Sequence, residues 1–343
     1  MPNAFDLWGL AGTVLDGAAQ WGPAIELINR ADTIAISGHT NPDGDALGSV
    51  LGLGLALRRH YPLKRVDLLL ADDAPIPRVY RFLSGASELV PAARYADDPD
   101  LFISVDAPTL ERLEDSALVA RRAGSRLTID HHPAREEFAE VVVRDPSAAA
   151  TAVLVSGLLD AAHIALEPAI AQCLFCGLVT DTGRFQYQNA DPAAFACAAR
   201  LVDAGADPAR VALEVYQSQR LEYLHLESVV MGRIATCAGG RVAYSYATEA
   251  DLEACGTGHD ECDGLIDAVR QVEGAEVCLF LKDARTPGLV RGNLRSKVDL
   301  DVSRVAARFG GGGHAAAAGF SFEGTVEEAL AAVLPQLVDL VGE

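Results

Sequence analysis

Four short stretches of this chain gather side chains that bind cations. "GHTNPDGDALGS" (residues 38–49) places His39, Asp43 and Asp45 within seven positions. "SVDAP" offers Asp106, "IDHHP" offers Asp130, His131 and His132, and "VTDTGRF" offers Asp181. Turn chemistry explains part of the first stretch, because Asn-Pro and Asp-Gly are turn dipeptides and Asp45 is placed to cap a following helix. It leaves His39 and Asp43 without a reason, and Gly38, Gly44 and Gly48 do not fit a GxGxxG fingerprint. Carboxylates with imidazoles, and no thiolate, suit a hard or borderline cation such as Mn²⁺ or Mg²⁺. The number of ligands suggests two ions. A pair of divalent ions acidifies a water held between them and clamps the attacking and leaving oxygens of a displacement at phosphorus, so the expected reaction class is phosphoester hydrolysis.

Each stretch follows an apolar run, and that placement sets the expected fold. Short β-like runs at 33–37, 66–70, 101–105, 126–129 and 141–143 alternate with helical patterns, notably 46–58 and 148–159. The run before Asp181 is read as another strand end, whereas Asp72 and Asp73, after "DLLL", are read as an ordinary one. Alternating strands and helices imply an α/β chain with a doubly wound, mainly parallel sheet, which binds ligands beyond the carboxyl ends of its strands. Residues 191–234 look almost wholly helical, with a break at "AGADPAR". A smaller α/β set follows, with "RVAYSYAT" (241–248), a helix near 260–272, strands near 276–281 and 289–294, and a closing helix at 326–341. The expected domains are 1–190, a helical connector at 191–234, and 235–343.

The 343 residues are enough for two cores. The net charge of -20 argues against general affinity for long duplex nucleic acid or anionic membranes, so an anionic substrate must be recruited by local cations or metal ions. No apolar run approaches the roughly 18 residues a membrane helix needs. The first cationic side chain is Arg30, so the start lacks the charge of a signal peptide, and a cytoplasmic location is expected. The seven cysteines fit reduced thiols, and the lone Cys173/Cys176 pair reads as small buried hydrophobes.

In their order along the chain, "HTNPDGDALGS", "SVDAP", "IDHHP" and "VTDTGRF" resemble the four motifs of the DHH phosphoesterases. "FGGGGHAAAAGF" resembles the signature of the DHH-associated C-terminal domain. Together the motifs run from His39 to Phe320. Within that superfamily a two-domain chain most resembles the nanoRNases, bifunctional oligoribonucleases and pAp phosphatases. RecJ-like exonucleases carry further domains, and family II pyrophosphatases lack the Gly-rich signature.

The resemblance implies roles for particular residues. One Mn²⁺ would take His39, Asp43 and Asp106, and a second would take Asp45, Asp106, His131 and Asp181, with Asp106 bridging; Mg²⁺ is the other candidate. Asp130 would orient a histidine, and His132 would face the substrate phosphate and stabilise developing charge.

Between Lys282 and His314, seven cationic side chains stand against Asp283, Asp299 and Asp301, a net of +4. This island and the four glycines after it form a plausible phosphate site, although the glycines could equally end the helix of "DVSRVAARF". The resemblance favours substrate binding by Arg295, Ser296, Gly312, Gly313 and His314. It implies short oligoribonucleotides, pAp or dinucleotides as substrates, cleaved to nucleoside 5′-monophosphates and, for pAp, to AMP. Cyclic dinucleotides and their linear products are an alternative, and a catalytically silent nucleotide sensor is a second. Oligomeric state stays open, a homodimer included.

Overall fold

The computed structural model describes residues 21–133 and 137–342; the N-terminal start read for charge, residues 1–20, lies outside them. The chain divides into two compact units between Ser218 and Gln219. Along the first unit run α1 (Trp21–Arg30), β1 (Thr33–Ser37), α2 (Gly44–His60), β2 (Arg65–Leu70), β3 (Val90–Pro91), β4 (Leu101–Val105), α3 (Ser116–Arg122), β5 (Ser125–Asp130) and β6 (Val141–Arg144). Then come α4 (Thr151–Ala161), α5 (Pro168–Asp181), α6 (Pro192–Asp203) and the single turn α7 (Pro208–Val211).

Six parallel strands form its sheet, in the order β3-β2-β1-β4-β5-β6. Helices cover both faces, which is why β1 and β4 are buried along almost their whole length. Ile34 and Ile36 turn toward the core shared with α2, α4 and α5, while Ala35 and Phe102 turn toward α3. The strand order reverses between β1 and β4, the place where such sheets open a crevice for ligands.

Helices α2 and α5 pack with their backbones nearly touching. A Cβ on Gly48 would overlap the Cys173 carbonyl, and one on Gly177 would come within 2.8 Å of the Asp45 carboxylate. Cys173 and Cys176 are buried along α5, where burial pushes the Cys173 thiol up to about 12.

Two local readings are corrected. The apolar run before Asp181 is helix α5, not a strand: Pro168 begins it, and its side chains are buried around nearly the whole circumference, so no amphipathic period marks it as helical. The cap of α2 is Asp43 rather than Asp45; the Asp43 carboxylate accepts from the backbone N–H of Asp45 at 2.9 Å and of Ala46 at 3.0 Å.

The second unit contains α8 (Leu221–Gly232), β7 (Ala235–Cys237), β8 (Val242–Ala247), α9 (Glu249–Cys255), α10 (Ile266–Arg270) and β9 (Val277–Asp283). It continues with β10 (Leu289–Ser296), α11 (Ser303–Arg308), β11 (Gly312–His314), β12 (Ala317–Glu323) and α12 (Val326–Gly342). Its sheet runs β11-β12-β10-β9-β8-β7, antiparallel except between β8 and β9. The helical stretch expected over 191–234 is thus divided, with α6 and α7 in the first unit and α8 in the second.

The helix expected over 260–272 shrinks to α10, preceded by two 3-10 turns, His259–Glu261 and Asp263–Leu265, where Gly264 interrupts the helix formers. Of the alanine run 315–318, the first two residues form the turn after β11 and the last two begin β12 despite their helix propensity, because seven residues of β12 pair with β10. Among the described residues no helix is long and apolar enough to cross a membrane.

Candidate metal centre

His39 follows β1 and is buried. Its Nδ1 lies 2.8 Å from the Thr40 carbonyl and 3.1 Å from Arg112 Nη2, so that side of the ring is occupied by protein groups. The Nε2 then faces Asp106 Oδ2 at 3.6 Å and Asp43 Oδ1 at 3.8 Å.

Asp106 ends the β4 run with φ +55°, the left-handed region that side-chain-bearing residues seldom occupy. Its two carboxylate oxygens serve different neighbours. While Oδ2 meets His39, Oδ1 stands 3.5 Å from His131 Nε2 and accepts the Thr151 hydroxyl at 2.9 Å. His131 is oriented in the same way as His39, with Nδ1 donating to the Ala148 carbonyl at 3.1 Å. Its Nε2 also faces Asp181 at 3.6 Å and Asp45 at 4.0 Å.

The fully buried Asp45 sits against the start of α4. Thr151 N–H donates to Oδ2 at 2.6 Å and Ala152 N–H to Oδ1 at 2.9 Å. A helix N-terminus holds a carboxylate through its unsatisfied N–H groups.

The donors fall into two groups, His39 with Asp43 and Asp106, and Asp45 with His131 and Asp181. The imidazole-to-carboxylate separations of 3.5–4.0 Å exceed hydrogen-bond reach. They match ligands that share one ion through bonds of about 2.1 Å.

Electrostatics agrees with this fit. Burial, with the Asp106 and Asp181 charges added, lifts Asp45 well above the usual carboxylate range. Burial also raises Asp181 to about 6 against the opposing pull of His131. Burial opposes a charge on His39, yet Asp106 and Asp43 hold it up at about 10; His131 reaches about 9 under Asp181, Asp106 and Asp45 in the same way. Without a cation the cluster keeps protons to offset its carboxylates. Oxygen and imidazole donors with no thiolate suit a divalent cation in their place.

Asp130 and His132 form a third cluster with Asp106. Asp130 is fully buried, and its Oδ1 accepts from both the Nδ1 of His132 at 2.8 Å and its backbone N–H at 3.1 Å.

In the second unit, Arg295 of β10 and His314 of β11 both pair with Ala317 of β12. Three residues in register across adjacent strands share one face, so the guanidinium and the imidazole stand in one row. The Arg295 Nε is buried and meets no hydrogen-bond partner among the described residues. Ser296 is not brought into this row: it is buried on the opposite face, and its hydroxyl donates to the Val298 carbonyl at 2.7 Å. Gly312 and Gly313 lie in β11, where a Cβ on Gly313 would overlap the Ala317 carbonyl.

Thr151 escaped the sequence reading, although it contacts both Asp45 and Asp106. Its only signal is a hydroxyl residue in the first turn of the helical pattern read at 148–159, which is also a common mark of an ordinary helix start.

Residues 33–178 match the DHH family, N-terminal domain, and residues 239–342 match the DHHA1 domain. The bifunctional oligoribonuclease and PAP phosphatase NrnA of Thermus thermophilus is 33% identical over 85% of this chain and 84% of its own. The protein of the same name from Bacillus subtilis is 26% identical over 87% of this chain and 91% of its own. An exopolyphosphatase-related protein from Bacteroides fragilis superposes with a TM-score of 0.83 at 26% identity, covering 94% of this chain and 96% of that one.

Proposed function

The chain belongs to the DHH family of phosphoesterase hydrolases, and on that premise we propose that it cleaves very short oligoribonucleotides to nucleoside 5′-monophosphates and removes the 3′-phosphate of pAp. The observation that carries the reading is the two-sided carboxylate of Asp106, with one oxygen toward His39 and the other toward His131. A relative 33% identical over most of both chains, named for these two activities, supports the choice of substrate.

In this reading His39, Asp43 and Asp106 would hold one Mn²⁺, and Asp45, Asp106, His131 and Asp181 would hold another. Bound divalent ions supply Lewis acidity, which lowers the pKa of water and neutralises phosphate charge. The protein's own groups do the rest. The α4 N-terminus and Thr151 fix Asp45 and Asp106, the Thr40 carbonyl and Arg112 orient the His39 ring, the Ala148 carbonyl orients His131, and Asp130 aims His132 at a phosphate oxygen. In the second unit, the Arg295 and His314 row binds a substrate phosphate, with the β11 glycines allowing close approach.

The test is a rate comparison, with Mn²⁺, on a 5′-phosphorylated RNA dinucleotide, a long single-stranded RNA, pAp and a cyclic dinucleotide at equal concentration. Fastest hydrolysis of the dinucleotide, with release of phosphate from pAp, is expected. Preference for the cyclic compound moves the protein to cyclic dinucleotide turnover, and inactivity on all four overturns the reading.

A further inference from the structure

We infer that Arg144 is a positioning residue that acts on His132 through Asp130. Arg144 lies on β6, directly in register with Asp130 on the neighbouring β5. The backbone reinforces that register, since Asp145 N–H donates to the Asp130 carbonyl at 3.3 Å. Asp130 is fully buried, and its two oxygens divide their duties. Oδ1 holds both N–H groups of His132. Oδ2 meets no hydrogen-bond donor among the described residues, and what faces it, at 3.6 Å, is the Arg144 Nε, itself buried and without a hydrogen-bond partner among them.

The Arg144 side chain is 9% exposed, so this is a cation brought inside to face a buried anion. A buried carboxylate with no counter-charge is costly. The guanidinium is anchored from its other end, where Nη1 donates to Glu137 Oε1 at 2.6 Å. Glu137, Arg144, Asp130 and His132 therefore form one chain of contacts from the exposed Glu137 carboxylate to the imidazole. With Oδ2 pinned by charge, the carboxylate plane is set, and Oδ1, accepting from the Nδ1–H of His132, fixes the plane of the ring and the direction of its Nε2. The side chain that touches substrate is His132; Arg144 fixes how it is presented.

Two measurements on the full chain test this. The first is independent of the proposed reaction: nitrogen NMR of histidine-labelled, Mg²⁺-loaded protein reports the tautomer and hydrogen bond of His132. Arg144→Gln is expected to replace the single Nδ1–H signature by a mixture, and Arg144→Lys, which restores the charge, is expected to recover it. An unchanged signature in Arg144→Gln overturns the inference.

The kinetic arm rests on the proposed hydrolysis of short RNA. Arg144→Gln should lower kcat roughly tenfold, the lower range for residues that orient a functional histidine, with KM and bound metal unchanged and with recovery in Arg144→Lys. A parallel fall in bound metal, or no fall in kcat in an active enzyme, overturns it. Wild-type inactivity would instead count against the substrate reading, while the NMR arm would still decide the role of Arg144. If Arg144→Gln does not fold, Glu137→Gln tests the same chain from its exposed end; a roughly threefold loss in kcat is expected, and none counts against the inference.

Discussion

Thr151 donates its hydroxyl to Asp106 at 2.9 Å while its backbone N–H meets Asp45 at 2.6 Å, so one residue at the start of α4 fixes a carboxylate from each donor group. Replacing the hydroxyl with a methyl in Thr151→Val leaves the backbone contact in place. Apparent Mn²⁺ affinity should fall about tenfold, as for partners that orient metal ligands, and stability without metal by about 1 kcal/mol. Titration calorimetry and denaturant unfolding read the two effects. Unchanged affinity would reduce Thr151 to a packing residue.

Asp106→Ala removes the carboxylate that faces both His39 and His131. Bound Mn²⁺ should drop from two ions toward none, and turnover of the RNA dinucleotide should be nearly lost. Metal analysis after gel filtration, alongside the rate, checks this; a variant that keeps both ions and activity refutes the bridging role.

Metal loading should release protons. His39 and His131 are raised to about 10 and 9, above the ordinary imidazole value, so without a cation both are protonated at neutral pH. Metal must displace those protons, and the sign follows: apparent affinity rises with pH up to about 9–10. Calorimetry in two buffers of different ionisation enthalpy should show net proton release at pH 7. Zero release would mean that the two imidazoles are not ligands.

Gly48→Val tests how α2 and α5 hold Asp45 and Asp181. The added side chain would overlap the Cys173 carbonyl, so the helices must separate. A loss of about 1–3 kcal/mol in denaturant unfolding is expected from overpacking, together with weaker metal binding. Full stability would show that the helices can shift without cost.

Arg295→Ala should raise KM for the RNA dinucleotide about tenfold or more, as loss of a charge-assisted phosphate contact implies, with metal content unchanged. Ser296→Ala, which removes a hydroxyl turned away from the Arg295 and His314 row, should leave KM within about twofold. Equal effects of the two would remove the row from substrate binding.

The first unit's sheet was legible because each parallel strand is a compact apolar run that ends at a turn signal. β1, β2, β4, β5 and β6 all lie within about a residue of the runs read from the sequence. The ligand types were legible too, since hard-cation chemistry is carried by residue identity. Helix α5 misled for the reason that hid its end: a helix buried on all sides shows no amphipathic period. β11 and β12 were hidden because glycine and alanine have low strand preference, and their pairing with β10 supplies what propensity lacks.

By itself the sequence determined which atoms could bind a cation and which strand ends would carry His39, Asp106 and His131, because period and residue chemistry are local. Tertiary structure alone decided how those atoms meet. The reversal of strand order between β1 and β4 sets His39 beside Asp106, and the glycine contact of α2 with α5 brings Asp181 to His131. The start of α4 turns Thr151 onto two carboxylates, and the register of β5 with β6 sets Arg144 opposite Asp130. Each of these pairs is distant in sequence, and only packing and strand register can specify such a contact.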